Sequence, residues 1–357
     1  MRYSDYKLPQ LVQLGTTDAK QDLRRAPVNG PLVDRFGRTH SDLRISVTDR
    51  CNIRCFYCMP ETGAEFLKAR DVLSFDQIES FAKAAASLGI NKVRLTGGEP
   101  LLRPKLPDLV ARMSALPGVR DLALTTNGVL LADAAKPLHD AGLRRLNIHL
   151  DTLDRERFRQ ISRRDDLLRV IAGLEAAKNI GYGVVKINAV AIKGLTEPDV
   201  ISLVRFGREN AIEVRFIEFM PLDAQHLWSL DRVLTADEMI AMLECEFGPL
   251  EAVPDADPRA PATEYRFADG YRVGFIATVS RPFCMNCNRL RLTSDGKLRY
   301  CLFANEETDV RHLLGGDQTA NDLETAIRST VWKKWIGHEI NRVSFVAPQR
   351  PMYAIGG

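Results

Sequence analysis

The chain has 357 residues, with 49 Lys and Arg against 46 Asp and Glu (net charge +3) and 45% hydrophobic residues. That length suits roughly two domains or one large α/β barrel with an extension, and the composition excludes global disorder. The small net charge gives no argument for a nucleic-acid surface, and the longest uncharged stretch, Leu122–Ala132, has 11 residues against the roughly 18 needed to cross a bilayer.

The opening segment MRYSDYKLPQLVQLG lacks a basic start followed by an apolar core, so no secretory signal is expected. Residues 1–40 mix Pro, Gly, Asp and Arg without an apolar period and read as an extension with little structure of its own. A strand–helix rhythm begins at Leu43. LRISVTD (43–49) reads as strand and Phe75–Leu88 as helix, entered at Ser74 and ended by Gly89. KVRLTGG (92–98) is strand-like and Leu106–Leu116 helical; LALTTNG (122–128) precedes a helical LADAAKPLHDAG. RLNIHLD (145–151) precedes a helix over Leu168–Ile180, and VVKINAVAI (184–192) a helix over Glu197–Asn210, with Pro198 in its first turn. EVRFIEFM (213–220) leads to a helix at Ala236–Phe247.

Six strand–helix units imply parallel βαβ structure, either curled into a partial (βα)6 TIM-type barrel or laid out as a doubly wound sheet. The barrel is the reading adopted for residues 41–250. Residues 251–357 break the rhythm: Pro254, Pro258 and Pro261 mark a linker, EYRFADGYRVGFIAT (264–278) a hairpin, Ser294-Asp295-Gly296 a second hairpin, and two modest helices follow. Strand ends carry the chemically suggestive residues, as expected for parallel sheets. Cys51, Gly97-Gly98, Thr125-Thr126-Asn127, Asp151 and Met220 all close predicted strands.

Six of the seven cysteines form two triads, Cys51-x3-Cys55-x2-Cys58 and Cys284-x2-Cys287-x13-Cys301. Cys245 is alone on an amphipathic helix and reads as a buried, inert thiol. A zinc knuckle, chance thiols and disulfides are the plain readings of the triads. Structural zinc takes four ligands, whereas His40 lies 11 residues before Cys51 and His312 lies 11 after Cys301. A [4Fe-4S] cluster on three cysteines leaves one iron free for a small molecule, and this reading is preferred for both triads.

CNIRCFYC, with Tyr57 before the last cysteine, resembles the signature of the radical S-adenosylmethionine enzymes, and Gly97-Gly98-Glu99-Pro100 resembles that superfamily's next motif. DLRISVTDRCNIRCFYCMP, VRLTGGEPL, LTTNG, LDTLDRERF, VRFIEFMP, CNRLRL and a terminal Gly356-Gly357 are similar to the GTP 3′,8-cyclase family over about residues 34–357. The resemblance implies the first step of molybdenum cofactor biosynthesis, the radical cyclisation of GTP to 3′,8-cyclo-GTP by a lyase. It implies two [4Fe-4S] clusters, on Cys51, Cys55 and Cys58 and on Cys284, Cys287 and Cys301, with the first generating the radical. S-adenosylmethionine would meet Tyr57, Gly98, His149 and Met220. GTP would meet Arg44, Arg94, Thr125, Lys186, Arg289, Leu290 and Arg291, with Arg289 and Arg291 also catalytic, while Arg215 and Lys92 are weaker candidates. The Glu99 carboxylate is expected near the methionine ammonium, and the Gly356-Gly357 tail inside the active site. A low-potential electron donor and a downstream cyclic pyranopterin monophosphate synthase are the implied partners. Nucleic acid and membrane are not, a homodimer is allowed, and the setting is cytoplasmic. His149 departs from the family's usual serine; Asn147, His149 and Asp151 share one strand face, so it should point into the cofactor cavity. The rivals are a radical peptide-maturation enzyme with an auxiliary cluster, a zinc-stabilised binding module and an electron carrier.

Overall fold

The structure is a computed structural model and describes residues 26–223, 225, 227–315, 320–340, 342 and 345–356. Six strands alternate with helices: β1 (Asp42–Ser46), β2 (Lys92–Thr96), β3 (Asp121–Thr126), β4 (Arg145–His149), β5 (Val184–Ala191) and β6 (Glu213–Glu218). The helices are α1 (Phe75–Ser87), α2 (Leu106–Ser114), α3 (Leu131–Asp140), α4 (Arg155–Ser162), α5 (Leu167–Ile180), α6 (Glu197–Asn210) and α7 (Ala236–Phe247). Local signals set their ends. Ser74 and Gln77 form a reciprocal cap on α1, as Thr235 and Glu238 do on α7. The stripe Ile78, Phe81, Ala82 and Ala85 then buries the inner face of α1.

The six strands pair in parallel and in consecutive order. That order excludes the doubly wound alternative, which reverses direction at a switch point. The C-terminal strands are β7 (Glu251–Ala252), β8 (Thr263–Arg266), β9 (Arg272–Ile276), β10 (Arg289–Leu292), β11 (Lys297–Arg299) and β12 (Thr308–Asp309). They continue the same sheet at both edges. β9 joins β6 and β10 joins β1, each in parallel, and antiparallel partners complete an open, mixed 12-stranded sheet. Helix α8 (Ala320–Trp332) packs on α1, and the short α9 (Met352–Ile355) ends the described chain. One large core between sheet and helices runs from Leu32 to Val331.

Two expectations need correction. Cys245 is exposed rather than buried, on the outer face of α7. Residues 1–25 lie outside the described part, but 26–40 are well tied down, because Leu32, Asp34 and His40 are each about 1% exposed. Asp34 accepts from Arg38 Nε (2.6 Å) and pairs with His40 Nε2 (3.1 Å). Among the described residues no helix is long and apolar enough to cross a membrane.

Candidate active site

A cavity of about 290 Å³ opens at the carboxyl ends of the parallel strands, close to the roughly 300 Å³ lower end of small-molecule sites. Residues from β1, β2, β3, β4, β5, β6, β9 and β10 line it, so the sheet wraps around the space. All six triad cysteines face this one cavity as free thiols.

The first triad sits on the loop after β1. Glycines bring β2 against it: a Cβ on Gly98 would lie 2.4 Å from the Arg50 carbonyl oxygen, and one on Gly97 2.5 Å from that of Thr48. Asn127 Nδ2 donates towards Cys51 Sγ (3.6 Å). Burial, reinforced by the Glu99 carboxylate, pushes the Cys51 thiol up to about 12. Burial and the neighbouring Cys55 and Cys51 raise Cys58 as well. Thiols held this way are reluctant anions until a cation reaches them. Among the described residues no His, Cys, Asp or Glu set closes on a single ion. A cube of irons instead spreads its thiolates over separate corners, and three cysteines without a fourth ligand fit that group.

Tyr57, Gly98, His149 and Met220 also line the cavity. Tyr57 Oη donates to Asp151 Oδ2 (2.5 Å), while His149 Nε2 lies 2.5 Å from Tyr57 Oη and 3.0 Å from Asp151 Oδ2. An ionised carboxylate only accepts, so the ring nitrogen facing it carries a proton. Burial alone would lower the pKa of His149; the Asp151 carboxylate outweighs it and holds the ring charged. The peptide N–H of Val190 fixes the other Asp151 oxygen (2.7 Å). His149 therefore points into the cavity with its Nε2 already engaged. Glu99 does not line the cavity. It is wholly buried, and its oxygens accept from Thr126 Oγ1 (2.7 Å) and the N–H groups of Asn127 (2.7 Å) and Leu101 (3.0 Å).

The second triad lies on the loop before β10 and just after β11. Burial holds Cys284 up at about 11. Burial acts the same way on Cys287, but the Arg289 and Lys334 charges override it and bring that thiol to about 6. This end of the cavity is electropositive. Arg291, Arg44 and Arg94 stand side by side in register on β10, β1 and β2. With Arg289, they line the cavity and have no carboxylate partner among the described residues. Burial and the Arg289 charge push Arg291 down to about 10, as expected of a cation among cations. Arg44 Nε, Arg94 Nε, Arg289 Nη1 and Thr125 Oγ1 are buried without a hydrogen-bond partner.

The other predicted GTP residues are placed differently. Lys186 is off the cavity wall, with its ammonium 2.7 Å from Glu213 and 3.6 Å from Glu264. Arg215 lines the cavity but is clamped by the same two carboxylates. Leu290 alternates with Arg289 and Arg291, so its side chain is buried in the core on the opposite face. The weaker candidate Lys92 pairs with Asp257 at 3.1 Å. In the tail, Met352 and Tyr353 line the cavity and the Gly356 carbonyl accepts from Arg291 Nη1 at 2.9 Å; Gly357 lies outside the described residues. Sequence reasoning missed Asp151 as the anchor of Tyr57 and His149, although Asp151 shares their strand-face signal. It also missed Phe283, stacked under the Arg289 guanidinium at 4.6 Å.

The strand order and the first triad define a radical S-adenosylmethionine enzyme, a class that carries an iron–sulfur cluster and uses S-adenosylmethionine. The model of the Radical SAM superfamily matches residues 45–207, and that of Molybdenum Cofactor Synthesis C matches residues 212–340. Among solved structures, Streptococcus suis SuiB bound to S-adenosylmethionine superposes with a TM-score of 0.56 at 17% identity, covering 80% of this chain and 64% of SuiB; the likeness is one of fold. A GTP 3′,8-cyclase of Rhodopirellula baltica is 47% identical, covering 91% of this chain and 92% of the relative. That of Mycolicibacterium smegmatis is 46% identical and covers 97% of both chains. The chain belongs to the GTP 3′,8-cyclase family.

Proposed function

We propose that the chain cyclises GTP to 3′,8-cyclo-GTP in the first step of molybdenum cofactor biosynthesis. The observation that carries this reading is one cavity lined by both cysteine triads and by four arginines that have no carboxylate partner among the described residues. Residues 41–250 act as the radical-generating partial (βα)6 barrel, and residues 251–357 bring the second [4Fe-4S] cluster and part of the GTP site. Cys51, Cys55 and Cys58 would hold a [4Fe-4S] cluster, which with S-adenosylmethionine would supply the radical chemistry for hydrogen abstraction from the ribose.

The protein's own part is placement. Cys284, Cys287 and Cys301 would hold the second cluster. Arg44, Arg94, Arg289 and Arg291 present planar forks to the triphosphate, whose charge of about −4 matches their total. Thr125 offers its unpartnered hydroxyl, and Leu290 contributes only backbone. Lys186 joins if the triphosphate displaces it from Glu213. Tyr57, Gly98 and Met220 shape the S-adenosylmethionine end, and His149 faces it. Holding both reactants in one enclosed space supplies the orientation on which an intramolecular ring closure depends. A low-potential donor feeds the first cluster, the cyclic pyranopterin monophosphate synthase consumes the product, and the setting is cytoplasmic.

Anaerobic, reconstituted protein given S-adenosylmethionine, dithionite and GTP should yield 5′-deoxyadenosine together with a cyclised GTP isomer by mass analysis. Deoxyadenosine without a GTP product would refute the substrate. Arg289→Ala with Arg291→Ala should weaken GTP binding while leaving reduction of the first cluster intact.

A further inference from the structure

The second triad is assembled from two chain segments, Cys284 and Cys287 on one and Cys301 on the other, so something must hold them together. Lys334, just after α8, is only 3% exposed. Its Nζ donates to the carbonyls of Arg289 (2.8 Å) and Tyr300 (2.7 Å). Arg289 lies two residues past Cys287, and Tyr300 is the neighbour of Cys301. Two donors of the ammonium are thus spent on the triad's framework.

The remaining cysteine is tied to the same short segment. Arg38 Nη1 donates to the Cys284 carbonyl (2.7 Å) and the Ile336 carbonyl (2.9 Å), and Nη2 to that of Trp335 (2.5 Å). Asp34 fixes the Arg38 guanidinium in turn. Among the described residues Lys334 has no carboxylate partner, and a buried ammonium without a counter-charge costs several kcal/mol. Burial lowers the pKa of this ammonium, and negative charge at Cys287 and Cys301 opposes that shift.

We propose that Lys334 is a positioning residue for the second cluster: it pins the two halves of the triad and supplies the buried positive charge that balances its thiolates. The proposal rests on the reading that this triad holds a [4Fe-4S] cluster. Three thiolates on a cluster core of charge +2 leave a net charge of −1, and one-electron reduction adds a second negative charge. A fixed cation at the thiolates favours the reduced form.

The test uses the full chain with Cys51, Cys55 and Cys58 all changed to Ala, so that only the second cluster remains. Iron and sulfide are counted after anaerobic reconstitution, and the potential is followed by electron paramagnetic resonance during reduction without GTP. If this background holds no cluster, the second-cluster reading fails and the Lys334 proposal falls with it. If it holds one, adding Lys334→Gln keeps a donor for the carbonyls but removes the charge. The reduced-to-oxidised ratio at a fixed potential should then fall at least tenfold, a shift of about 59 mV for a one-electron couple. Lys334→Met should in addition lower cluster occupancy, and Lys334→Arg should recover most of the potential. Unchanged potential and occupancy in Lys334→Gln would overturn the proposal, as would an equal loss in Lys334→Arg.

Discussion

His149→Ser separates two roles for the imidazole. In the structure the ring serves Tyr57 and Asp151 through Nε2. Its removal leaves Asp151 with a donor on each oxygen, Tyr57 Oη on one and the Val190 N–H on the other. The full penalty of an abandoned buried charge therefore does not apply. What is lost is a charge-assisted pair plus some packing against Tyr57, whose ring centroid lies 6.0 Å away. The expected destabilisation is about 1–3 kcal/mol, the range for losing a buried hydrogen-bond partner. At roughly 2–4 °C per kcal/mol for a 150–250-residue protein, and less for a longer one, Tm should fall by about 2–6 °C. S-adenosylmethionine affinity should stay within about threefold, or improve as the smaller side chain opens the cavity. Calorimetric unfolding and equilibrium binding on reconstituted protein measure the two effects. A tenfold or larger loss of affinity at unchanged Tm would refute the reasoning and give the imidazole a direct hold on the cofactor.

Gly98→Ala should abolish S-adenosylmethionine binding and reduce iron retention at the first triad, because the added Cβ meets the backbone carbonyls of Arg50 and Asp49 at 2.4 and 2.7 Å; wild-type binding would show that the loop yields freely. Arg94→Met should raise the GTP dissociation constant more than tenfold, about 1.4 kcal/mol. Lys186→Met should raise it less than fivefold, since Glu213 and Glu264 already hold that ammonium; titration calorimetry with GTP decides whether the order is reversed. Burial pushes His40 down to about 4 despite its bond to Asp34. The unfolded chain takes this proton near pH 6.5 and the folded chain refuses it, so stability is full above 6.5 and falls by about 3 kcal/mol as pH drops towards 4. Urea unfolding of His40→Gln should show a flatter slope across that window, and an unchanged slope would assign the loss to other groups.

What was legible in the sequence was what local chemistry controls. Helices α6 and α7 span Glu197–Asn210 and Ala236–Phe247 as read, the first with Pro198 in its first turn. Helix α4 escaped because RERFRQIS buries only Phe158, Ile161 and Ser162, a stripe too short to show a period. The docking of β9 and β10 on opposite edges of the six-stranded parallel sheet was not legible either. Parallel pairing of β10 with β1 joins residues nearly 250 positions apart, and no neighbouring residue encodes it. The cysteines and arginines were found because their spacing carries chemistry. Lys334 and Arg38 look like ordinary surface cations in sequence; only their burial beneath main-chain carbonyls reveals their work.

The row Arg291–Arg44–Arg94 carries the last step. Adjacent strands lie about 4.8 Å apart, and like charges directly opposite one another on a sheet are destabilising. Guanidinium groups do not shed protons to escape the repulsion. A fold selected for stability alone would place a carboxylate in that row, as this one does on β6, where Glu213 faces Lys186 of β5. Asp42 stands one step below, in register with Arg289 and Lys92, and does not form an ion pair with the row among the described residues. The repulsion is therefore kept on β10, β1 and β2, whereas the cations Lys186 and Arg215 of β5 and β6 are neutralised. On the reading proposed above, the charge that the triphosphate would meet is fixed before it arrives, so the arginines would need little rearrangement on binding.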